Sequence, residues 1–328
     1  MILSKTPLRI SLFGGGSDLS SFYHRQAGSV LSSTIDKYIY ITVNKKFDDG
    51  IRVAYSVNEE VESVDEIEHR IVRETLRKYR IEGGIEITTI ADIPSKGSGL
   101  GSSSSFTVGL VNALKNFLGD APGPHAIAED ACDIEIQRCR EPIGKQDQYA
   151  AAFGNFNLIQ FLPSEEVVVE PLNIGKDDLQ ALGDHLLLFY TGITRKASSI
   201  LEDQSKEVRK SGEKFDSIKE MVDISHFARE KLLNGEIEQI GFLLDKCWKI
   251  KSKLASGIST SFLDQTYQKA MEAGAHGGKI LGAGGGGFFL FFTPPANRKR
   301  LIETLQELTH VPFEFTNTGS NISYNDYT

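Results

Sequence analysis

Glycine placement constrains this chain more than any other feature of its sequence. At about 7% ordinary usage, roughly 23 glycines would be expected in 328 residues, and there are 31. Three tight clusters hold eleven of them: residues 14–16; Gly97, Gly99 and Gly101; and Gly282 with residues 284–287. A clustered glycine marks backbone that adopts positive φ or closely approaches something else. The fold must therefore build three special loops, each set between regularly patterned segments.

The middle cluster is the most informative. It lies in Pro94-Ser-Lys-Gly-Ser-Gly-Leu-Gly-Ser-Ser-Ser-Ser105, between an expected strand at 85–90 and an expected helix at 103–118. Glycines let successive backbone N–H groups converge, and a helix N-terminus adds positive potential. Phosphate is the natural occupant of such a nest, with serine hydroxyls as extra donors or as a ligand for Mg²⁺. A flexible linker is the plain alternative, but the helix that follows carries a continuous apolar stripe through Phe106, Leu110, Ala113 and Phe117. No G-x-x-x-x-G-K-[ST] occurs, which excludes a Walker-type loop, and the glycine spacing is not that of a dinucleotide fingerprint.

Composition removes other classes. A hydrophobic fraction of 40% and a charged fraction of 24% exclude disorder, collagen and coiled coil. A net charge of −8 argues against nucleic acid as a partner, leaving room for a local basic pocket. Three cysteines are too few for a disulfide scaffold and fit a reducing cytoplasm, the expected location. The apolar runs Leu186–Tyr190 and Phe288–Phe292 are too short to span a membrane. Ser4, Lys5, Thr6 and Pro7 interrupt any signal-peptide-like stretch.

The pattern along the chain predicts an α+β protein in two lobes, 1–175 and 176–328. Strands are expected at 2–13, 30–43, 85–90, 156–161, 167–170 and 185–190, then on either side of the glycine loop at 278–293, and at 311–316. Helices are expected at 65–79, 103–118, 124–138 and 146–153, with four more between 196 and 273 and one at 297–308.

Three motifs resemble those of the GHMP small-molecule kinases, in the family's order and across the whole chain. They are Pro7-Leu-Arg-Ile-Ser-Leu-Phe-Gly-Gly-Gly-Ser-Asp18, the loop 97–105, and Lys279-Ile-Leu-Gly-Ala-Gly-Gly-Gly-Gly-Phe288. Within that superfamily, Gly144-Lys-Gln-Asp-Gln-Tyr-Ala-Ala-Ala-Phe-Gly154 and Tyr190-Thr-Gly-Ile-Thr-Arg195 resemble the bacterial D-glycero-D-manno-heptose 7-phosphate kinases. The resemblance implies an N-terminal lobe like ribosomal protein S5 domain 2, a ferredoxin-like C-terminal lobe and an active site between them. It also implies ATP and Mg²⁺, and a small sugar phosphate as substrate. A homodimer is left open.

The resemblance also implies roles that local pattern leaves undecided. Arg9 reads locally as an exposed ion-pair partner; by resemblance it sits beside the catalytic carboxylate and the transferring phosphate. Asp18 reads as a turn or cap residue; by resemblance it binds sugar hydroxyls, together with Gly15, Gly16 and Ser17. Gly15 and Gly16 stand where galactokinases carry Glu and His, which argues against galactose. Asp147 is either a helix cap or the carboxylate that takes up or orients the acceptor proton. Lys145 is either a phosphate-neutralising cation or a solvated loop lysine.

Glu135 shares a helix face with Ile127, Ala128, Ala131 and Ile134, so it needs a partner. That partner is an arginine or, as the resemblance implies, Mg²⁺ held with Ser103; Ser102 and Ser104 are rival ligands. Lys96, Gly97, Ser98, Gly99, Leu100, Gly101, Ser102, Ser103 and Ser104 are expected around the nucleotide phosphates. Gly284 and Gly285 are expected beside the substrate. Arg195, with Thr191 and Thr194 at a helix start, is a candidate for the substrate's own phosphate or a solvated arginine. The resulting expectation is an ATP-dependent kinase for the anomeric hydroxyl of D-glycero-D-manno-heptose 7-phosphate. The alternatives are a GHMP kinase for another sugar such as fucose, and a catalytically silent sugar sensor.

Overall fold

Two antiparallel-dominated sheets organise the chain, and three glycine loops meet between them. The computed structural model describes residues 1–94, 97–194 and 197–327. The first sheet contains β1 (Ile2–Phe13), β2 (Gly28–Lys45), β3 (Ile51–Ala54), β4 (Asn58–Val61), β5 (Ile85–Ala91), β6 (Phe156–Phe161) and β7 (Val167–Pro171). The second contains β8 (Leu186–Tyr190), β9 (Gly277–Ile280), β10 (Phe288–Phe292) and β11 (Thr309–His310). Two last strands, β12 (Phe315–Thr316) and β13 (Asn321–Asn325), return to the first sheet on β2 and β1. A single cut after residue 175 therefore places 315–325 in the wrong lobe. The polar strand Asn321–Asn325 carries little apolar alternation, which is why sequence pattern missed it, while the strand expected at 311–316 is reduced to its last two residues, Phe315–Thr316.

The long strand β2 pairs with β1 along much of its length and with β12 at Thr34 and Ile35, and two further strands divide the rest of it. Its first part, from Gly28 to Ser33, pairs with β6, and its last part, from Ile39 to Lys45, pairs with β5. In the second sheet the order is β11-β8-β10-β9, all antiparallel, the arrangement of a split βαβ unit.

The helices of the first half are α1 (Ser20–Tyr23), α2 (Arg70–Tyr79), α3 (Ser102–Phe117), α4 (Pro124–Cys132) and α5 (Gln146–Phe153). Those of the second half are α6 (Lys176–His185), α7 (Ala197–Lys210), α8 (Gly212–Leu233), α9 (Glu238–Lys251), α10 (Ser261–Glu272) and α11 (Arg298–Thr304). Helix α6 begins directly at the expected lobe boundary, at Lys176. Helix α3 buries its stripe against β1 and β2, and Ser105 Oγ donates to the Pro7 carbonyl at 2.9 Å. Helix α4 starts at Pro124 and passes into a π-helical turn, Asp133–Arg138, which carries Glu135. Cys132, Cys139 and Cys247 are buried and unpaired, as packing residues. Among the described residues no helix is long and apolar enough to cross a membrane.

The third glycine cluster is a close backbone contact. A Cβ on Gly282 would lie 2.6 Å from Gly99 Cα, and one on Gly99 would lie 2.5 Å from the Leu281 carbonyl oxygen. Both residues have positive φ, 78° at Gly99 and 68° at Gly282. The β9–β10 loop thus locks the loop before α3. Gly282→Val should lower stability by about 2–5 kcal/mol, combining left-handed strain with overpacking against backbone. A urea melt of the variant measures this directly, and an unchanged midpoint would contradict the contact.

Candidate active site

Strand β1 runs its buried centre toward the glycine loops, and Arg9 lies on that stretch, only 2% exposed. A buried guanidinium must find acceptors for its donors. It donates from Nε to Asp147 Oδ1 and from Nη2 to Asp147 Oδ2, both at 2.8 Å, and from Nη1 to the Gly99 carbonyl at 2.6 Å. The Arg9 backbone N–H donates to the Leu100 carbonyl at 3.1 Å. One side chain therefore ties β1 to the first turn of α5 and to the loop before α3. The pair is bidentate and charge-assisted, which fixes the carboxylate's plane. Asp147 is not a cap: Lys145 precedes the helix, and Asp147 sits inside its first turn.

Asp18 is 3% exposed and accepts the N–H groups of Gly16 at 3.0 Å and Gln146 at 3.3 Å. Burial, and then the charge of Asp147, push its carboxyl above the usual range, while those N–H bonds pull it back.

Glu135 is fully buried, and burial pushes its carboxyl up to about 7. Hydrogen bonds from Ser104, Ser103 and Gln148 oppose the shift, and Asp147 adds to it. Ser103 Oγ donates to Oε1 at 2.9 Å and Gln148 Nε2 to Oε2 at 2.6 Å. No arginine or lysine pairs with Glu135 among the described residues, so the ion-pair alternative fails. The Gln148 Oε1 atom is buried without a partner. A hydroxyl and a carboxylate side by side at the cleft, with no cation beside them among the described residues, are hard oxygen donors that fit Mg²⁺. Among the described residues no cage of three or more His, Cys, Asp or Glu exists, which suits an ion that takes few protein ligands.

These groups line one cleft of about 1180 Å³, walled by the loops at 15–18, 97–104 and 282–283 and by α7. The sequence families agree with the geometry. The GHMP kinases N terminal domain family matches residues 67–155, and the GHMP kinases C terminal family matches residues 228–310. The chain belongs to the GHMP kinases. It is 34% identical to the D-glycero-alpha-D-manno-heptose 7-phosphate kinase of Campylobacter jejuni, covering 97% of both chains. It is similar to the crystal structure of a D-glycero-D-manno-heptose 1-phosphate kinase from Bacteroides thetaiotaomicron, with a TM-score of 0.82, 27% identity and 100% of each chain covered. A Pyrococcus furiosus galactokinase is 27% identical, with 86% of each chain covered. As a GHMP kinase the protein is a phosphotransferase with ATP as donor and a hydroxyl as acceptor.

The structure brings together most of the residues singled out from sequence. Arg9, Gly15, Gly16, Asp18, Gly97, Ser98, Gly99, Gly101, Ser102, Ser103, Ser104, Glu135 and Asp147 all line the cleft. Ser17 does not. Its hydroxyl donates to the Gly14 carbonyl at 2.8 Å and accepts the Ser29 N–H at 3.0 Å, a staple of the turn. Leu100 is core, offering only its carbonyl to Arg9.

Lys145 turns away to Glu165, which also binds His24 and the Tyr23 hydroxyl. Burial alone would raise Glu165, but bonds from Lys145, His24 and Tyr23 outweigh it and hold the carboxyl near 2. Gly284 and Gly285 pack on Ile258, and Gly282 and Ala283 take their place at the cleft. Lys96 and Arg195 lie outside the described residues.

Two cleft lysines escaped the sequence reading. Lys279 is fully buried and donates to the Ser11 carbonyl at 2.9 Å and the Leu12 carbonyl at 2.8 Å. Lys251 donates to the Gly282 carbonyl. Burial lowers both amines, Lys279 to about 8 and Lys251, further pressed by the Lys279 charge, to about 7. Their sequence signal was weak, since a lysine in a helix or at a strand end usually reads as solvated.

Glu135 makes a pH prediction for the metal-free protein. Its folded value near 7 lies above the ordinary 4.5, so between those values the native state holds a proton that the unfolded state has lost. Stability should therefore fall as pH rises from about 4.5 to 7, by an amount on the order of 3 kcal/mol. Glu135→Gln should flatten that slope. Urea melts at pH 5 and pH 8 in chelator measure it, and equal slopes in both proteins would contradict the buried carboxyl.

Proposed function

We propose that this GHMP kinase transfers the γ-phosphoryl group of ATP to the anomeric hydroxyl of D-glycero-D-manno-heptose 7-phosphate, in the cytoplasm. The observation that carries the catalytic half is the Arg9–Asp147 fork, with both carboxylate oxygens fixed at 2.8 Å inside the cleft. The similarity to the Campylobacter jejuni heptose 7-phosphate kinase along nearly all of both chains supports the acceptor.

In this reading the acceptor hydroxyl lies against Asp147. Its oxygen attacks the γ-phosphorus, the bond to the ADP oxygen breaks, and Asp147 takes up the hydroxyl proton. Arg9 holds Asp147 in plane and gives the adjoining phosphoryl oxygens a fixed positive charge. Backbone N–H groups and hydroxyls of Gly97, Ser98, Gly99, Gly101, Ser102 and Ser104 surround the phosphate chain. Ser103 and Glu135 would hold Mg²⁺, which neutralises charge on the phosphates when bound. Asp18 accepts a sugar hydroxyl.

An ATP-consumption screen over heptose 7-phosphate, free heptose, fucose and galactose tests the acceptor, with the product's phosphate position read by NMR. The expected product is the 1,7-bisphosphate. Preference for an unphosphorylated sugar would replace this reading with a kinase for that sugar. Asp147→Asn should keep ATP binding and lower kcat about 10²–10⁴-fold. Near-normal turnover in that variant would remove Asp147 from proton transfer.

A further inference from the structure

Helix α7 buries a stripe of Ile200, Gln204 and Val208. The middle member breaks the apolar pattern. Gln204 is 2% exposed, yet its amide makes no hydrogen bond to any described residue. The amide is not among the fully buried unpartnered groups, so the little exposure the residue keeps lies at its polar end, where a ligand can reach it. Gln204 faces the same cleft as Arg9, Asp18 and Asp147. Its Nε2 lies over the glycine turn, 2.4 Å from where a Cβ on Gly16 would stand.

The neighbouring Gly15 supplies a second, independent observation. Its φ is not among the positive values, so its backbone does not require glycine. Packing does not require it either: a Cβ there would meet only Ser11 Oγ at 3.6 Å and Gln146 Nε2 at 3.8 Å. Both contacts are ordinary. Gly15 also lines the cleft. Missing bulk that neither conformation nor packing explains leaves a space for something that binds.

We propose that Gln204 is a specificity-determining residue of the acceptor site, its amide hydrogen-bonding a hydroxyl of the sugar in the space left open by Gly15. An amide both donates and accepts, which matches a hydroxyl's own capacity. This rests on the sugar-kinase reading above for the identity of the ligand.

The test uses Gln204→Met, which keeps the volume and removes both hydrogen-bonding functions, beside Gly15→Ala. Each is assayed on whichever sugar of the panel the wild type turns over best. Gln204→Met should lower kcat/KM for that sugar about 5- to 150-fold, the range for a hydrogen-bonding group left unpaired. The ATP KM should stay within about twofold. Its melting temperature should not fall below the wild type's, because the volume is kept and no hydrogen bond to a described residue is lost. Gly15→Ala should raise the sugar KM several-fold with no loss of stability.

Unchanged sugar kinetics in both variants would overturn the proposal. So would an equal rise in the ATP KM, or a lower melting temperature for Gln204→Met, which would make the amide a packing residue. Failure of the wild type on heptose 7-phosphate would sink only the choice of substrate. Should no sugar of the panel react, the proposal falls together with the sugar-kinase reading.

Discussion

The guanidinium of Arg9 is the interaction on which the rest of the site depends. It is buried in the middle of β1, where a charge without partners would cost several kcal/mol. Its three bonds reach a helix and a loop that are far apart in sequence. Satisfying one buried cation thus sets the position of Asp147 and of the loop that surrounds the phosphates. The geometry of the two is coupled by construction.

The backbone contact between Gly99 and Gly282 completes that coupling. The carbonyl of Gly99 that receives Arg9 belongs to a residue pressed against the β9–β10 loop. Lys251 and Lys279 reinforce it by donating to the carbonyl of Gly282 and to the end of β1. Both lobes therefore hold the same few peptide groups. The amines make these bonds in a desolvated site, which lowers their proton affinity.

Burial also explains the character of Glu135. The π turn at Asp133–Arg138 carries it inward, toward Ser103 and Gln148 rather than toward a basic side chain. A carboxyl held near neutrality by desolvation, with hydroxyl and amide neighbours, gains most from a cation that brings its own charge. The arrangement costs stability in the absence of that ion.

What the sequence by itself determined was the periodic and the punctuated. The three glycine clusters, the stripe of α3 and the helix closed by Gly154 were legible, because positive φ and amphipathic spacing are local properties. The motif residues Arg9, Asp18, Glu135 and Asp147 could be named before the fold was known, though not what each one touches. Tertiary structure alone decided that Lys145 faces Glu165, that Ser17 staples a turn and that Gly282 rather than Gly284 reaches the cleft. It alone buried Lys251, Lys279 and Gln204. Their side chains look solvated in a helix or strand pattern. Their surroundings come from segments distant in the chain, and no local rule records which segments will meet.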